Sequence, residues 1–248
     1  MPDPIVEVRH LRKSYGPKVV LADVSFTVAP GEIFGILGPN GSGKSTAAEC
    51  IAGLREADGG EVRVLGIDSQ AHPELIREHV GMQFQEAALH DKITVREALE
   101  LFGGFYESPR DTEDLLGELG LTEKRHASFK SLSGGQKQRV SIALALVGNP
   151  KVAVLDELTT GLDPQARRAT WDVVRRVRDA GATVLLITHF MEEAERLCDR
   201  LVIIDDGSVI AEGSPRDLIA SVTGAQSLED VFVALTPRSG FASIAQGA

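Results

Sequence analysis

Residues Ile33–Thr46 read IFGILGPNGSGKST, a near-continuous apolar run followed by a glycine-rich stretch that ends in lysine, serine and threonine. An apolar run of that kind is what a strand buried on both faces requires. The stretch after it fits G-x-x-x-x-G-K-[ST] at Gly38, Gly43, Lys44 and Ser45. Each residue type has a physical reason. Glycines let the backbone curl so that successive N–H groups point at one anion, and the helix opening at Gly43 adds the positive end of its dipole. Lys44 brings a cation to the outer phosphates, and the Ser45 hydroxyl can ligate Mg²⁺. Gly38, Pro39, Asn40, Gly41, Ser42, Gly43, Lys44, Ser45 and Thr46 are therefore expected to cradle the phosphates of a nucleotide. A strand before and a helix after set this run apart from an incidental glycine-rich turn.

Outward from the cradle, the chain changes rhythm. Ile5 to Ala29 carries short alternating runs, closed by the turn signal Ala29-Pro30-Gly31-Glu32. Lys44–Leu54 is expected to be a helix ended by the turn around Asp58-Gly59-Gly60. Glu61–Gly66 and Val80–Phe84 read as strands. Thr94 to Gly148 shows apolar residues at helical spacing and is expected to form a separate helical lobe. After it, strand and helix alternate. Val152–Leu155 is a strand, and Asp163-Pro164 starts a helix that runs to about Ala180. Thr183–Ile187 is a strand, Met191–Cys198 a helix, and Leu201–Asp205 a strand that turns at Asp206-Gly207 into SVIAEG. Two short helical stretches follow Ser214. Such alternation implies a largely parallel sheet covered on both faces.

Chemistry gathers at the strand ends. VAVLDE (Val152–Glu157) puts two carboxylates at the carboxyl end of a second buried strand, the edge where ligands bind in such sheets. Asp156 is expected to hold Mg²⁺ through water, and Glu157 to polarise the attacking water as general base. His189, after TVLLIT, ends a third strand and is expected to touch the γ-phosphate. LSGGQKQR (Leu132–Arg139) starts another helix: Ser133 caps it, and Gly134-Gly135 leave its first N–H groups open to an anion. The nucleotide already has one cradle. A second donor set on a different lobe points to two copies placed head to tail, each offering Ser133, Gly134, Gly135 and Gln136 to the nucleotide held by the other.

On these motifs the chain resembles the ATP-binding subunit of ATP-binding-cassette (ABC) transporters, from essentially Ile5 to Leu235. The resemblance implies an α/β fold: a P-loop NTPase core with a mostly parallel sheet, an N-terminal antiparallel β subdomain and an inserted α-helical subdomain at about 86–148. It implies one ATPase domain over 1–235, with 236–248 as a flexible tail. Tyr15, in KSYG, matches the aromatic that stacks on adenine. Gln85, ending GMQFQ, matches the glutamine that touches Mg²⁺ and the water and links to the helical lobe. Asp163, in TTGLDP, matches the loop that crosses the dimer interface. Leu158 stands where the family usually has proline; without that fixed φ the turn is expected to be looser, with hydrolysis retained. The stretches 88–106 and 227–236 resemble the ATPases of multidrug and antibiotic exporters, and the long C-terminal regulatory domain of many sugar importers is not expected. Phe102, Phe105 and Tyr106 fit helix packing as well as contact with a membrane partner.

The implied function is ATP hydrolysis, with ATP and Mg²⁺ as cofactors. Closure of two ATPase subunits, identical or related, would drive a membrane-spanning subunit on a separate chain at the cytoplasmic face. A net charge of −10, from 36 acidic and 26 basic residues, argues against nucleic-acid binding, and so against the rival reading of an ABC ATPase acting on ribosomes or DNA. A phosphate-loop kinase would have no use for LSGGQ. No apolar run approaches the roughly 20 residues of a membrane span, and MPDPIVEVRH has no leader pattern. Cys50 and Cys198 fit no metal-ligand spacing and read as buried apolar residues in a reducing cytosol.

Overall fold

A computed structural model describes residues 3–83 and 89–236. The chain begins with β1 (Val6–Tyr15), β2 (Lys18–Val28), β3 (Ile33–Leu37) and α1 (Lys44–Ile51). Next come β4 (Gly59–Val64), β5 (Ile67–Asp68), α2 (Pro73–His79) and β6 (Val80–Gln83). Helices α3 (Val95–Gly103), α4 (Thr112–Glu118) and α5 (Gly134–Leu146) follow. The remainder alternates: β7 (Val152–Asp156), α6 (Pro164–Asp179), β8 (Thr183–Thr188), α7 (Met191–Leu197), β9 (Arg200–Asp205) and β10 (Ser208–Gly213). Helices α8 (Pro215–Ser221) and α9 (Leu228–Leu235) close the described chain.

The strands lie in one sheet, in the order β5-β4-β1-β2-β10-β9-β3-β8-β7-β6. β9, β3, β8, β7 and β6 run parallel, while β5, β4, β1 and β2 pair antiparallel. β10 joins the two halves, antiparallel to β9 and bridged to β2 at Ser208 and Asp23. The turn before β10 makes that junction: Asp206 and Gly207 take φ of 45° and 73°, the pair of positive angles a two-residue hairpin needs. Its Gly207 carbonyl accepts the Ala22 N–H at 2.8 Å. The fold is the mixed α/β architecture expected from the sequence.

Burial follows the period of two along each central strand. Ile33 and Leu37 of β3 face one apolar cluster and Phe34 and Ile36 the other; Ala153 and Leu155 of β7 oppose Val152 and Val154 in the same way. Helix α1 supplies Ala47, Ala48, Cys50 and Ile51 to the second cluster, with the antiparallel strands. Helices α3 to α9 cover the opposite face. Helix α6 shows how they dock: Thr170, Trp171, Val173, Val174 and Val177 are its buried residues, a stripe at helical spacing, and Asp163 caps it by accepting the Gln165 and Ala166 N–H groups at 2.9 Å. Helix α5 touches α3 and α4 on one side and β6 and β7 on the other.

Several expectations need correction. Helix α1 ends at Ile51, not Leu54, and the chain turns at Gly53, with φ 65°. Gly59 and Gly60 do not end a helix; they open β4, where a Cβ on Gly60 would meet the His10 carbonyl oxygen at 2.3 Å. The short β5 and α2 carry too little periodic pattern to stand out in the sequence. The block 94–148 is mostly helical but interrupted: α3 stops at Gly103, and single 3-10 turns at Thr122–Lys124 and Phe129–Ser131 separate α4 from α5. Phe102 and Tyr106 are half-buried against the core, whereas Phe105 is 77% exposed. Of the segment 236–248, only Thr236 is among the described residues; it is buried, and its hydroxyl donates to the Phe232 carbonyl at 2.6 Å.

Candidate nucleotide site

The cradle is built by the change from β3 to α1. Helix α1 starts at Lys44 with Gly43 as its cap, and Gly43 offers no side chain to its first N–H groups. Those groups are left for an anion. Only glycine fits at this cap: φ is 102°, and a Cβ would lie 2.5 Å from Leu21 Cδ2 and 2.7 Å from the Val20 carbonyl oxygen. Lys44 is buried, and its Nζ donates to the carbonyls of Gly38 at 2.9 Å and Pro39 at 3.0 Å. Burial lowers its pKa, opposed by the carboxylates of Glu157 and Asp156. The ammonium thus sits where a phosphate would restore what burial takes away.

Tyr15, Lys18, Val20, Asn40, Gly41, Gly43, Lys44, Ser45, Thr46 and Glu157 line a cleft of about 430 Å³. One open concavity therefore joins the end of β1, the glycine run and the carboxylate after β7. Tyr15 is 42% exposed at its rim, with the Arg55 guanidinium 5.2 Å from its ring centre. Lys18 and Val20 escaped the sequence reading, because neither belongs to a motif; only the fold of β2 over the cradle brings them there.

Asp156 ends β7 almost fully buried, and burial raises its carboxyl pKa against a hydrogen bond from Ser45. Its Oδ1 has no hydrogen-bond partner among the described residues. A hydroxyl beside a buried carboxylate with an unused oxygen fits Mg²⁺, which takes one or two protein ligands and fills its shell with phosphate and water. No cluster of three His, Cys, Asp or Glu exists among the described residues that could hold a metal without phosphate. The Asp156 N–H donates to Gln83 Oε1 at 3.1 Å, so buried Gln83 fixes this strand end. The sequence reading passed over Gln83; its place in β6 beside β7 is its only signal. Gln85, expected to touch Mg²⁺, lies outside the described residues.

Glu157 follows at φ 48°, a left-handed angle uncommon for a residue with a side chain. Its N–H donates to the Ile187 carbonyl at 2.9 Å, and its Oε1 lies 3.0 Å from His189 Nδ1. The structure therefore brings His189 onto Glu157, which lines the cleft, while His189 itself is not among the lining residues. Leu158, where the family usually has proline, is fully buried in the large apolar cluster, so side-chain packing anchors this turn.

Ser133, Gly134, Gly135 and Gln136 do not line the cleft. Ser133 accepts the Gln136 N–H at 3.3 Å and donates its own N–H to Gln136 Oε1 at 3.0 Å, a reciprocal cap at the start of α5. Ser133 and Gly134 are exposed. A Cβ on Gly134 would lie 3.7 Å from Leu162 and one on Gly135 3.1 Å from Ala166, which puts the α5 start beside the Asp163 loop on one surface.

A family model described as ABC transporter matches residues 21–160, more than half the chain. The chain belongs to the ABC transporter family. Among its ABC relatives are proteins named Nod factor export ATP-binding protein I. The one from Rhizobium etli is 43% identical over 229 residues, 90% of this chain and 72% of the relative. The one from Paraburkholderia xenovorans is 44% identical over 234 residues, 92% and 77% of the two. A solved ATP-binding subunit of an ABC transporter superposes with TM-score 0.82 at 33% identity, covering 94% of this chain and 99% of the other. The ADP conformation of another ABC transporter's ATP-binding cassette gives 0.80 at 28%, covering 93% and 99%. As an ATP-binding subunit of this ABC family, the chain is an ATPase that serves a membrane-spanning partner. No helix among the described residues is long and apolar enough to cross a membrane.

Proposed function

We propose that the chain powers export: two ATPase subunits, identical or related, close head to tail on two ATP molecules and pull on a separate membrane-spanning chain at the cytoplasmic face. Export is favoured by the relatives' name. The observation that carries the hydrolytic reading is the shared cleft, where Glu157 faces the cradle of Lys44 and Ser45 with His189 in contact. Within a single domain over 1–235, whose helical subdomain spans about 86–148, each subunit holds one face of the nucleotide.

The roles follow from the chemistry. Tyr15 offers a ring face to adenine. Gly38, Pro39, Asn40, Gly41, Ser42, Gly43 and Thr46 supply the loop that curls around the phosphates, and Lys44 compensates the outer charge. Ser45 and Asp156, with Gln85, would hold Mg²⁺, which supplies positive charge against the phosphate oxygens. Glu157 accepts the proton of the attacking water. His189 holds the Glu157 carboxylate at 3.0 Å and donates toward the γ-phosphate. Preorganised charge and positioning do most of the work in phosphoryl transfer. Ser133, Gly134, Gly135, Gln136 and Asp163 act in trans: Ser133, Gly134 and Asp163 are exposed, Gly135 and Gln136 partly so, and none lines its own cleft, so they suit the open side of a neighbour's nucleotide. Nucleic acid has no part in this reading.

The test is Glu157→Gln, which keeps the side chain's shape and removes the base. Loss of a general base costs about 10²–10⁴ in turnover, so hydrolysis should all but stop while ATP drives a stable dimer. A variant that stayed monomeric in saturating ATP, or hydrolysed at the native rate, would sink the reading.

A further inference from the structure

One buried acid near the site is used by none of these steps. Glu193, on α7, has no exposed surface. Its Oε1 accepts the Trp171 indole N–H at 3.0 Å, within the interior. The hydroxyls of Thr188 and Thr159 also face the carboxyl. These neighbours come from three different segments: Trp171 from α6, Thr188 from the end of β8 immediately before His189, and Thr159 from the loop two residues after Glu157. A second contact runs parallel. Arg167, also facing Glu193, lies 5.2 Å from the Phe190 ring, which in turn lies 4.1 Å from the His189 ring.

We propose that Glu193 is a positioning residue for hydrolysis: its buried carboxyl, anchored by Trp171, ties the loop that carries Glu157 to the strand end that carries His189. The inference rests on the assignment of Glu157 and His189 to hydrolysis made above. Its physical basis is that Glu157 and His189 must keep one separation, although they stand on different strands and both near the surface. A shared buried polar knot one layer below fixes that separation better than two part-buried side chains alone can. The knot is only partly tied. Glu193 Oε2, Thr159 Oγ1 and Arg167 Nε each lack a well-formed hydrogen bond among the described residues, so a small closure of the loop on β8 would complete it. Burial pushes the Glu193 carboxyl up, opposed by the facing Thr188 hydroxyl, the Trp171 indole N–H, the Thr159 hydroxyl and the nearby Arg167 charge.

The test compares the native full chain with Glu193→Gln, Glu193→Ala and Trp171→Phe. Glutamine keeps an acceptor and a donor; alanine removes both, and phenylalanine removes the indole N–H. Misplacing a catalytic pair by a fraction of an ångström costs about tenfold or more in rate. Glu193→Ala and Trp171→Phe should therefore lose about tenfold in kcat with KM for ATP within about threefold of native, the pattern of a lost transition-state interaction. Glu193→Gln should recover most of the rate. Trp171 is the single tryptophan, so its emission should shift on adding Mg-ATP to the native chain and to Glu193→Gln, and not to Glu193→Ala. Native kcat in a folded Glu193→Ala overturns the inference; should that variant not fold, native kcat in Trp171→Phe does so. Equal losses in Glu193→Gln and Glu193→Ala also overturn it. If Glu157→Gln is inactive while Glu193→Ala turns over normally, only this inference falls; if Glu157→Gln still hydrolyses ATP, the hydrolytic assignment falls with it.

Discussion

Glu157 reaches the cleft through a backbone angle that costs energy, and Leu158 beside it is fully buried. Packing of Leu158 offsets that cost in the absence of a proline. Leu158→Ala should destabilise the protein by about 2–5 kcal/mol, the range for deleting a buried leucine side chain, with a larger fall in kcat than in ATP affinity; urea unfolding and steady-state kinetics measure the two. Glu193 carries a pH signature. Its unfolded pKa is that of an ordinary glutamate, about 4.3, and burial raises the folded one. Between those values the folded chain holds more protons, so stability falls as pH rises. The contribution is complete below the unfolded value and lost once pH passes the folded one. Arg167 and the buried Cys198 thiol, itself pushed up by burial, are the ionisable neighbours coupled to it. In Glu193→Gln that part of the pH–stability curve should flatten, which denaturation midpoints across the acidic range will show.

Helix starts do much of the work at the level of elements, in two ways. The α1 start is capped by a glycine without a side chain, and its N–H groups stay open inside the cleft. The α5 start is closed by Ser133 and Gln136 yet exposed. A side chain that caps its own helix competes with an anion for the same donors, so the α5 start is a weaker anion site alone than as half of a sandwich. Ser133→Ala should cost about 1 kcal/mol of subunit stability through the lost cap. The same change should cut ATP-driven association by more than that cost explains, as sedimentation with and without ATP will report. If association is unchanged, Ser133 does not meet a neighbour's nucleotide.

For the whole molecule, the strand ends of β3, β7 and β8 carry the glycine run, Asp156 with Glu157, and His189 to one edge of the sheet, while helices cover both faces. Ligand binding to that edge stabilises the entire fold by mass action, about 2.7 kcal/mol at a hundredfold excess over Kd. Mg-ATP should raise Tm, and chelating the metal at constant ATP should remove much of the rise, because Asp156 would then face the phosphates with an uncompensated carboxyl. A thermal scan in which the metal made no difference would count against the Ser45–Asp156 site.

What the sequence determined by itself was local. The glycine run, the caps at Ser133 and Asp163, the buried strands and the carboxylates after VAVL each depend on a few neighbouring residues, and backbone sterics and periodicity fix those. The family followed from their order. Tertiary structure alone decided what meets across long separations. Gln83 on Asp156, Lys18 and Val20 in the cleft, Leu158 in the core and Trp171 on Glu193 join segments far apart in the chain. No local pattern encodes such contacts, because they exist only once the sheet has brought its strand ends side by side.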